Sequence, residues 1–196
     1  RAAAMVEDGM AVGLGTGSTV FFAMERLGER IAREGLRITG VPTSYQAAIR
    51  ARRYGIPLSS LDEHPELDIA IDGADQVDPG LNLIKGRGAA LLREKCVCDA
   101  AREVLIVVDP TKMVDTLNAP VPVEVLPFGV AGVSRRLSLL GAAPVLREGV
   151  KKDGPVVTDN GNFILDCGFG AIGEPRDLEA AIAAIPGALE CGLFTA

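Results

Sequence analysis

The sequence predicts an α/β protein, a Rossmann-like parallel sheet domain with a small α+β subdomain. Two observations carry this expectation. Up to Asp109, short apolar runs alternate with helix-spaced segments, and the runs end in glycine, proline or an acid. Strands that alternate with helices in this way form a parallel sheet with helices on both faces. From Val121 the pattern changes to short strand candidates separated by turns, with two helices among them. The expected organisation is a Rossmann-like catalytic domain over 1–120, the α+β subdomain over 121–187, and a strand over 188–196 that returns to the main sheet.

The elements follow in order. Residues 10–14 are an apolar strand ending in glycines, and 18–27 have helical spacing. Residues 36–41 form a second strand closed by Pro42. Thr43 and Ser44 stand where they cap a helix that runs to about Tyr54 and stops at Gly55. A third strand, 67–71, ends at Asp72. Residues 88–101 read as helix and 104–108 as a β-branched strand ending at Asp109. Right-handed crossovers place Gly13, Val41, Asp72 and Asp109 on one sheet edge, where open α/β sheets bind ligands. In the second part, 121–125, 144–147, 156–158 and 163–166 are strand candidates. Asn160-Gly161 makes a hairpin turn between the last two, since both residues tolerate positive φ. One helix spans 130–140, and another begins at Pro175 and ends before Pro186.

Composition narrows the function classes. A 196-residue chain that is 48% hydrophobic buries a sizeable core, and no apolar run approaches the roughly 18 residues of a membrane span. The reading is a soluble globular protein with no membrane partner. Net charge is −6 and no Lys or Arg run stands out, which argues against nucleic acid. An acidic protein that binds an anion needs a local device to do it. The four cysteines are not spaced as a disulfide framework, so a reducing cytoplasm is expected. Cys96 and Cys98 point to nearly opposite sides of a helix, and His64 is the only histidine, so no metal site is expected. No signal or transit segment is legible. The chain opens at Arg1 in an Ala-rich stretch and stops at Ala196 after an apolar strand, and both ends read as incomplete.

Four segments carry candidate chemistry. Gly13-Leu-Gly-Thr-Gly-Ser-Thr19 joins a strand to a helix. Its glycines admit an anion to the backbone, the helix start carries about half a positive charge, and Ser18 and Thr19 add hydroxyl donors. The alternatives are a tight turn without ligand, or a dinucleotide. Against the dinucleotide, Val20 replaces the third glycine, and strand two ends Val41-Pro-Thr-Ser44 without a ribose-binding acid. The Walker lysine is absent too, so a single phosphate fits better. Asp72-Gly-Ala-Asp75, with Asp78 shortly after, offers two carboxylates at a strand end for sugar hydroxyls or proton transfer, or simply a turn. Lys85-Gly-Arg-Gly88 is a second glycine loop with two cations. Beyond it, Glu94 lies on an otherwise apolar helix face, where burial raises a carboxyl pKa toward neutrality. As a lone residue Glu94 reads as surface more often than as a base. Asp109-Pro-Thr-Lys112 adds a lysine at the same edge.

Taken together and in this order, these segments resemble type A ribose-5-phosphate isomerase. Val121-Pro-Val-Glu-Val125, Val157-Thr-Asp-Asn-Gly-Asn162 and Ile185-Pro-Gly187 also resemble the second half of that family. The glycine loop alone is shared with glucosamine-6-phosphate deaminases, phosphogluconolactonases and sugar-sensing repressor domains, whereas Lys85–Lys95 with Asp72–Asp75 is far more specific. The resemblance implies cofactor-free interconversion of ribose 5-phosphate and ribulose 5-phosphate in the pentose phosphate pathway. It implies Glu94 as the base, with Asp72, Asp75 and Lys85 assisting ring opening and stabilising charge on the sugar oxygens. Substrate binding would involve Thr16, Gly17, Ser18, Thr19, Gly73, Ala74, Gly86, Arg87, Gly88 and Lys112. A homodimer or homotetramer is implied as well. Arg87 stands where the family commonly has Gly, and Gln76 where Glu is usual. A non-catalytic phosphosugar sensor and another phosphosugar enzyme of the same fold, deaminase or lactonase, remain the alternatives.

Overall fold

A computed structural model describes residues 1–196. The elements are β1 (Ala11–Leu14), α1 (Ser18–Glu34), β2 (Thr39–Pro42), α2 (Tyr45–Arg53), β3 (Leu67–Asp72), β4 (Gln76–Val77), β5 (Leu83–Ile84), α3 (Leu91–Asp99), β6 (Ala101–Ile106), β7 (Val121–Val125), α4 (Val130–Leu139), β8 (Ala143–Leu146), β9 (Phe163–Gly168), α5 (Pro175–Ala183), β10 (Ala188–Cys191) and β11 (Leu193–Phe194). The fold is α/β, a parallel sheet with helices accompanied by antiparallel sheets. The chain forms two compact units, Arg1–Gly73 with Arg93–Val108, and Ala74–Leu92 with Asp109–Ala196.

The first unit holds a parallel sheet in the order β2-β1-β3-β6. Strand alternation sorts its side chains between two layers. Val12, Leu14, Ile69 and Ile71 share a core with Val20, Met24 and Leu27 of α1 and Ala47 and Ala51 of α2. The α1 residues recur at helical spacing, and burying each such side chain stabilises by about 1.5–3 kcal/mol. That stripe fixes the helix whose first turn follows the glycine loop. The other layer collects Ala11, Val41, Leu67 and Ala70 around Val97 of α3. Small residues matter there, because a β-carbon on Gly13 would stand 2.5 Å from Val97 Cγ1 and 2.9 Å from Ala70 Cβ. All four strands run the same way, so their carboxyl ends share one edge.

The second unit contains an antiparallel sheet, β10-β7-β9-β8, and a three-stranded sheet, β11-β5-β4. Its core joins Val121, Val123 and Val125 of β7 to Val133 and Leu137 of α4 and Ile182 of α5. Glu124 of β7 is fully buried. Its Oε1 accepts hydrogen bonds from Thr158 Oγ1 at 2.8 Å, Asn160 Nδ2 at 3.0 Å and Asn162 Nδ2 at 2.8 Å. One carboxylate therefore organises the whole turn. Glu124→Ala strands three donors, and the expected cost is about 3–5 kcal/mol of stability. Urea unfolding with an unchanged slope checks this, and a midpoint equal to wild type would show the network is dispensable.

Several sequence expectations shift. Residues 156–158 are not a strand: Val156 N donates to Arg147 O, and Thr158 Oγ1 accepts from Asn160 N and Asn162 N. Side-chain bonding to Glu124 replaces the ladder there, although Gly161 does turn at φ +81°. The 88–101 helix shortens to α3 because Ala89 sits at φ +57° before it, and Ala101 pairs with Leu67 after it. That pairing also moves the fourth parallel strand from 104–108 to β6. The 36–41 strand begins late because Arg37 bonds to the Asp8–Gly9 loop. Residues 189–194 do not join the parallel sheet. They split at Gly192 into β10, paired with β7, and β11, paired with β5. Gly192 lies so close to Lys85 that a β-carbon would be 2.1 Å from the Lys85 carbonyl oxygen. The short β4 and β5 have no counterpart in the sequence reading, since two residues show no periodicity.

None of the four cysteines is in a disulfide. Burial pushes the Cys167 thiol up to about 12, with Asp166 and Cys191 adding to the effect, so it stays protonated at neutral pH. No helix is long and apolar enough to cross a membrane.

Candidate active site

In the first unit the glycine loop leaves β1 at Leu14, and Gly15 N bonds to Ile71 O at 2.9 Å. Gly17 is the N-cap of α1 at φ +140°, a conformation L side chains rarely adopt. The start of a 17-residue helix then faces the loop with its unsatisfied amides. Thr16 is held from behind. Its hydroxyl lies 2.8 Å from Thr43 Oγ1 and 2.6 Å from Ser44 Oγ. Thr43 in turn donates to Leu14 O, and Ser44 caps α2 through Ala47 N at 3.0 Å. Ser18 and Thr19 remain exposed, in position to meet a ligand.

Asp72 closes β3 and is buried, with Oδ1 accepting from Gly73 N at 2.7 Å. It packs on the glycine loop so closely that a β-carbon at Gly15 would lie 2.1 Å from Asp72 Oδ1. Glu94 is 3% exposed. It lies one turn before Val97, and so on the α3 face that packs against Gly13. The first unit thus brings the Thr16–Thr19 loop, Asp72 and Gly73 together, with Glu94 on the helix under β1.

In the second unit Asp75 N bonds to Ile84 O at 2.7 Å, which ties Asp75 to the β4–β5 hairpin. Asp78 closes that hairpin through Asn82 N at 2.9 Å, so it serves the turn. Lys85 is almost wholly buried, its N bonded to Gly192 O at 2.8 Å and its Nζ 5.3 Å from the Phe194 ring centre. Gly86 through Ala89 form a tight turn closed by Ala89 N to Gly86 O at 3.0 Å. Gly86 has φ +106°, and its side chain position is filled by Leu91. Asp75 Oδ2 accepts from Arg87 N at 3.0 Å. Ala74, Asp75, Lys85, Gly86, Arg87 and Gly88 therefore belong to one local structure. It borders a cleft of about 690 Å³ lined also by Arg147, Glu148 and Asp166. Lys112 ends a short 3-10 turn, Pro110–Lys112, capped by Asp109. The Thr111 hydroxyl and amide hold the Asp109 carboxyl below the usual carboxylate range.

Sequence reading missed several contributors. Thr43 appeared only as a helix cap, and its buried hydroxyl also supports Thr16. Gly192, Phe194, Arg147 and Asp166 act from more than sixty residues away in the chain and left no local signal. Glu179, Glu190 and Cys191 place ligand atoms within 4.8 Å of one another, outside all these segments.

Residues 39–196 match the family model for ribose 5-phosphate isomerase A (phosphoriboisomerase A). The chain belongs to that family. It is 63% identical over 195 residues to ribose-5-phosphate isomerase A of Methanoregula boonei, covering 100% of this chain and 82% of that one. The enzyme of Thermosynechococcus vestitus is 59% identical, covering 98% and 83%. Among solved structures, ribose 5-phosphate isomerase A from Methanocaldococcus jannaschii superposes with a TM-score of 0.96 at 46% identity, covering 100% of this chain and 87% of that one. A D-ribose-5-phosphate isomerase in complex with phospho-erythronic acid gives 0.96 at 49% identity, covering 99% and 86%. Within the ribose-5-phosphate isomerase A frame, the two unusual residues have visible surroundings. Arg87 directs an exposed side chain from the turn. Gln76 accepts from Asn118 N and Ala119 N at 2.9 Å each and donates to Asn118 Oδ1 at 2.8 Å, bracing the segment before β7.

Proposed function

We propose that this protein interconverts D-ribose 5-phosphate and D-ribulose 5-phosphate without a cofactor, as a step of the non-oxidative pentose phosphate pathway. Membership of the ribose-5-phosphate isomerase A family carries the reading, and a buried acid beside a glycine-loop helix start is the chemistry it needs. The Thr16–Thr19 loop holds the phosphate, with its amides and hydroxyls donating. Gly73, Ala74, Gly86, Arg87, Gly88 and Lys112 complete the substrate contacts. Asp72, Asp75 and Lys85 help open the furanose ring and carry charge on its oxygens. In the open-chain aldose, Glu94 takes the proton from C2 and the electron pair moves toward O1, giving an enediolate. Returning that proton to C1 while the O2 hydroxyl becomes the carbonyl, its proton passing to O1, gives the ketose, so atoms and electrons balance. A relative of this fold in complex with phospho-erythronic acid, a phosphorylated sugar acid, supports a phosphosugar as ligand.

The cytoplasm is the proposed compartment, on the reading that the four cysteines are not spaced as a disulfide framework. A homodimer or homotetramer is the proposed assembly, and Phe128, 97% exposed, offers apolar surface for it. The test is an assay of purified protein with ribose 5-phosphate in the presence of a metal chelator. Ketose formation to a stable equilibrium from either side is the expected result. Binding with no interconversion would replace the isomerase with the phosphosugar sensor, and ammonia release or lactone hydrolysis would replace it with a deaminase or lactonase.

A further inference from the structure

We infer that Arg147, held in plane by Asp166, is a positioning residue that sets the Gly86–Arg87 peptide as a hydrogen-bond donor to Asp75. The inference rests on the proposed function and goes beyond the residues it assigns. Arg147 follows β8, and its backbone is pinned on both sides. Its N donates to Ile164 O at 2.9 Å, and its O accepts from Val156 N at 2.8 Å. Its side chain makes a fork with the carboxylate of Asp166 on the neighbouring strand, Nε to Oδ2 at 2.8 Å and Nη2 to Oδ1 at 2.5 Å. A bidentate contact of this kind fixes the guanidinium plane.

The remaining nitrogen, Nη1, is thereby aimed. It donates to Gly86 O at 3.1 Å and to Arg87 O at 3.0 Å, the two carbonyls at the start of the glycine turn. The Gly86 carbonyl and the Arg87 N–H are two ends of one peptide group. That same N–H donates to Asp75 Oδ2 at 3.0 Å. The chain Asp166, Arg147, peptide, Asp75 therefore runs through a single amide plane. A cation on the carbonyl oxygen polarises the amide and strengthens its N–H as a donor. It also restrains a turn that glycines at 86 and 88 would otherwise leave loose. With 17% of the Arg147 side chain exposed, the contact is shielded enough to hold and open enough for a small ion to reach.

Arg147 is not itself a proposed substrate contact and meets Gly86 and Arg87 only at their carbonyl oxygens, so its effect reaches chemistry through the turn. Small displacements of positioned groups cost up to about 100-fold in rate. In Arg147→Ala and Arg147→Met, kcat for ribose 5-phosphate is expected to fall about 10- to 100-fold. KM should stay within about twofold, because the phosphate contacts are elsewhere. Arg147→Lys keeps the charge and loses the fork, and it should restore only part of kcat. Millimolar guanidinium added to Arg147→Ala should recover turnover without changing its melting temperature. Variants that keep wild-type kcat overturn the inference. So does a loss that guanidinium leaves untouched or that tracks the fall in melting temperature. Wild-type protein inactive toward ribose 5-phosphate would instead mark failure of the proposed function.

Discussion

Glu94→Gln is expected to lower kcat for pentose phosphate isomerisation by about 100- to 10,000-fold while leaving KM nearly unchanged. The substitution keeps the size and most of the hydrogen-bonding capacity of the side chain and removes its basicity alone. Glu94 is buried on the α3 face that carries Val97 against Gly13, so a neutral amide of equal volume fits the same space. The phosphate contacts proposed for the Thr16–Thr19 loop do not involve it, which is why binding should survive. Steady-state kinetics with calorimetric titration of substrate separates the two quantities. A variant within tenfold of wild-type turnover would remove Glu94 from the role of base and return that role to Asp72 or Asp75.

Gly15→Ala should remove turnover and destabilise the protein together. The added β-carbon would stand 2.1 Å from Asp72 Oδ1, 2.3 Å from its Cγ and 2.7 Å from its Cα. A side chain can rotate away, but Cα belongs to β3 in the middle of the parallel sheet, with neighbours on both sides. Either the glycine loop or Asp72 has to move. Overpacking of this kind costs about 1–3 kcal/mol, and the displaced pair are the proposed phosphate loop and the proposed acid. Gly35→Ala is the control, since no atom lies within 4 Å of its β-carbon position, although its φ of +72° still carries strain. Thermal melts beside kinetics read both effects. Gly15→Ala with normal activity would show that the loop and Asp72 need not keep this contact.

The parallel half was legible because its signals are local. Apolar strands with glycine or acidic ends, Ser44 as a cap and the α1 stripe each depend on neighbours within a few residues. The family segments were legible for the same reason, being contiguous. Helix and strand limits near Ala89 and Ala101 were not, because a left-handed residue ended one element and pairing with Leu67 began the next.

Neighbouring residues are enough to specify the alternation that makes an α/β fold, the loop that suits one phosphate, and the acids and lysine that suit sugar chemistry. What supports them comes from long-range packing. Thr43 stands behind Thr16, and Gly192 lies against Lys85. Residues 189–194 divide between two antiparallel sheets, and Arg147 reaches from β8 to the glycine turn. The physical reason is range. Capping, periodicity and glycine turns are written between adjacent residues, whereas a guanidinium's partners sixty residues away are set by strand register and packing, which no local pattern encodes.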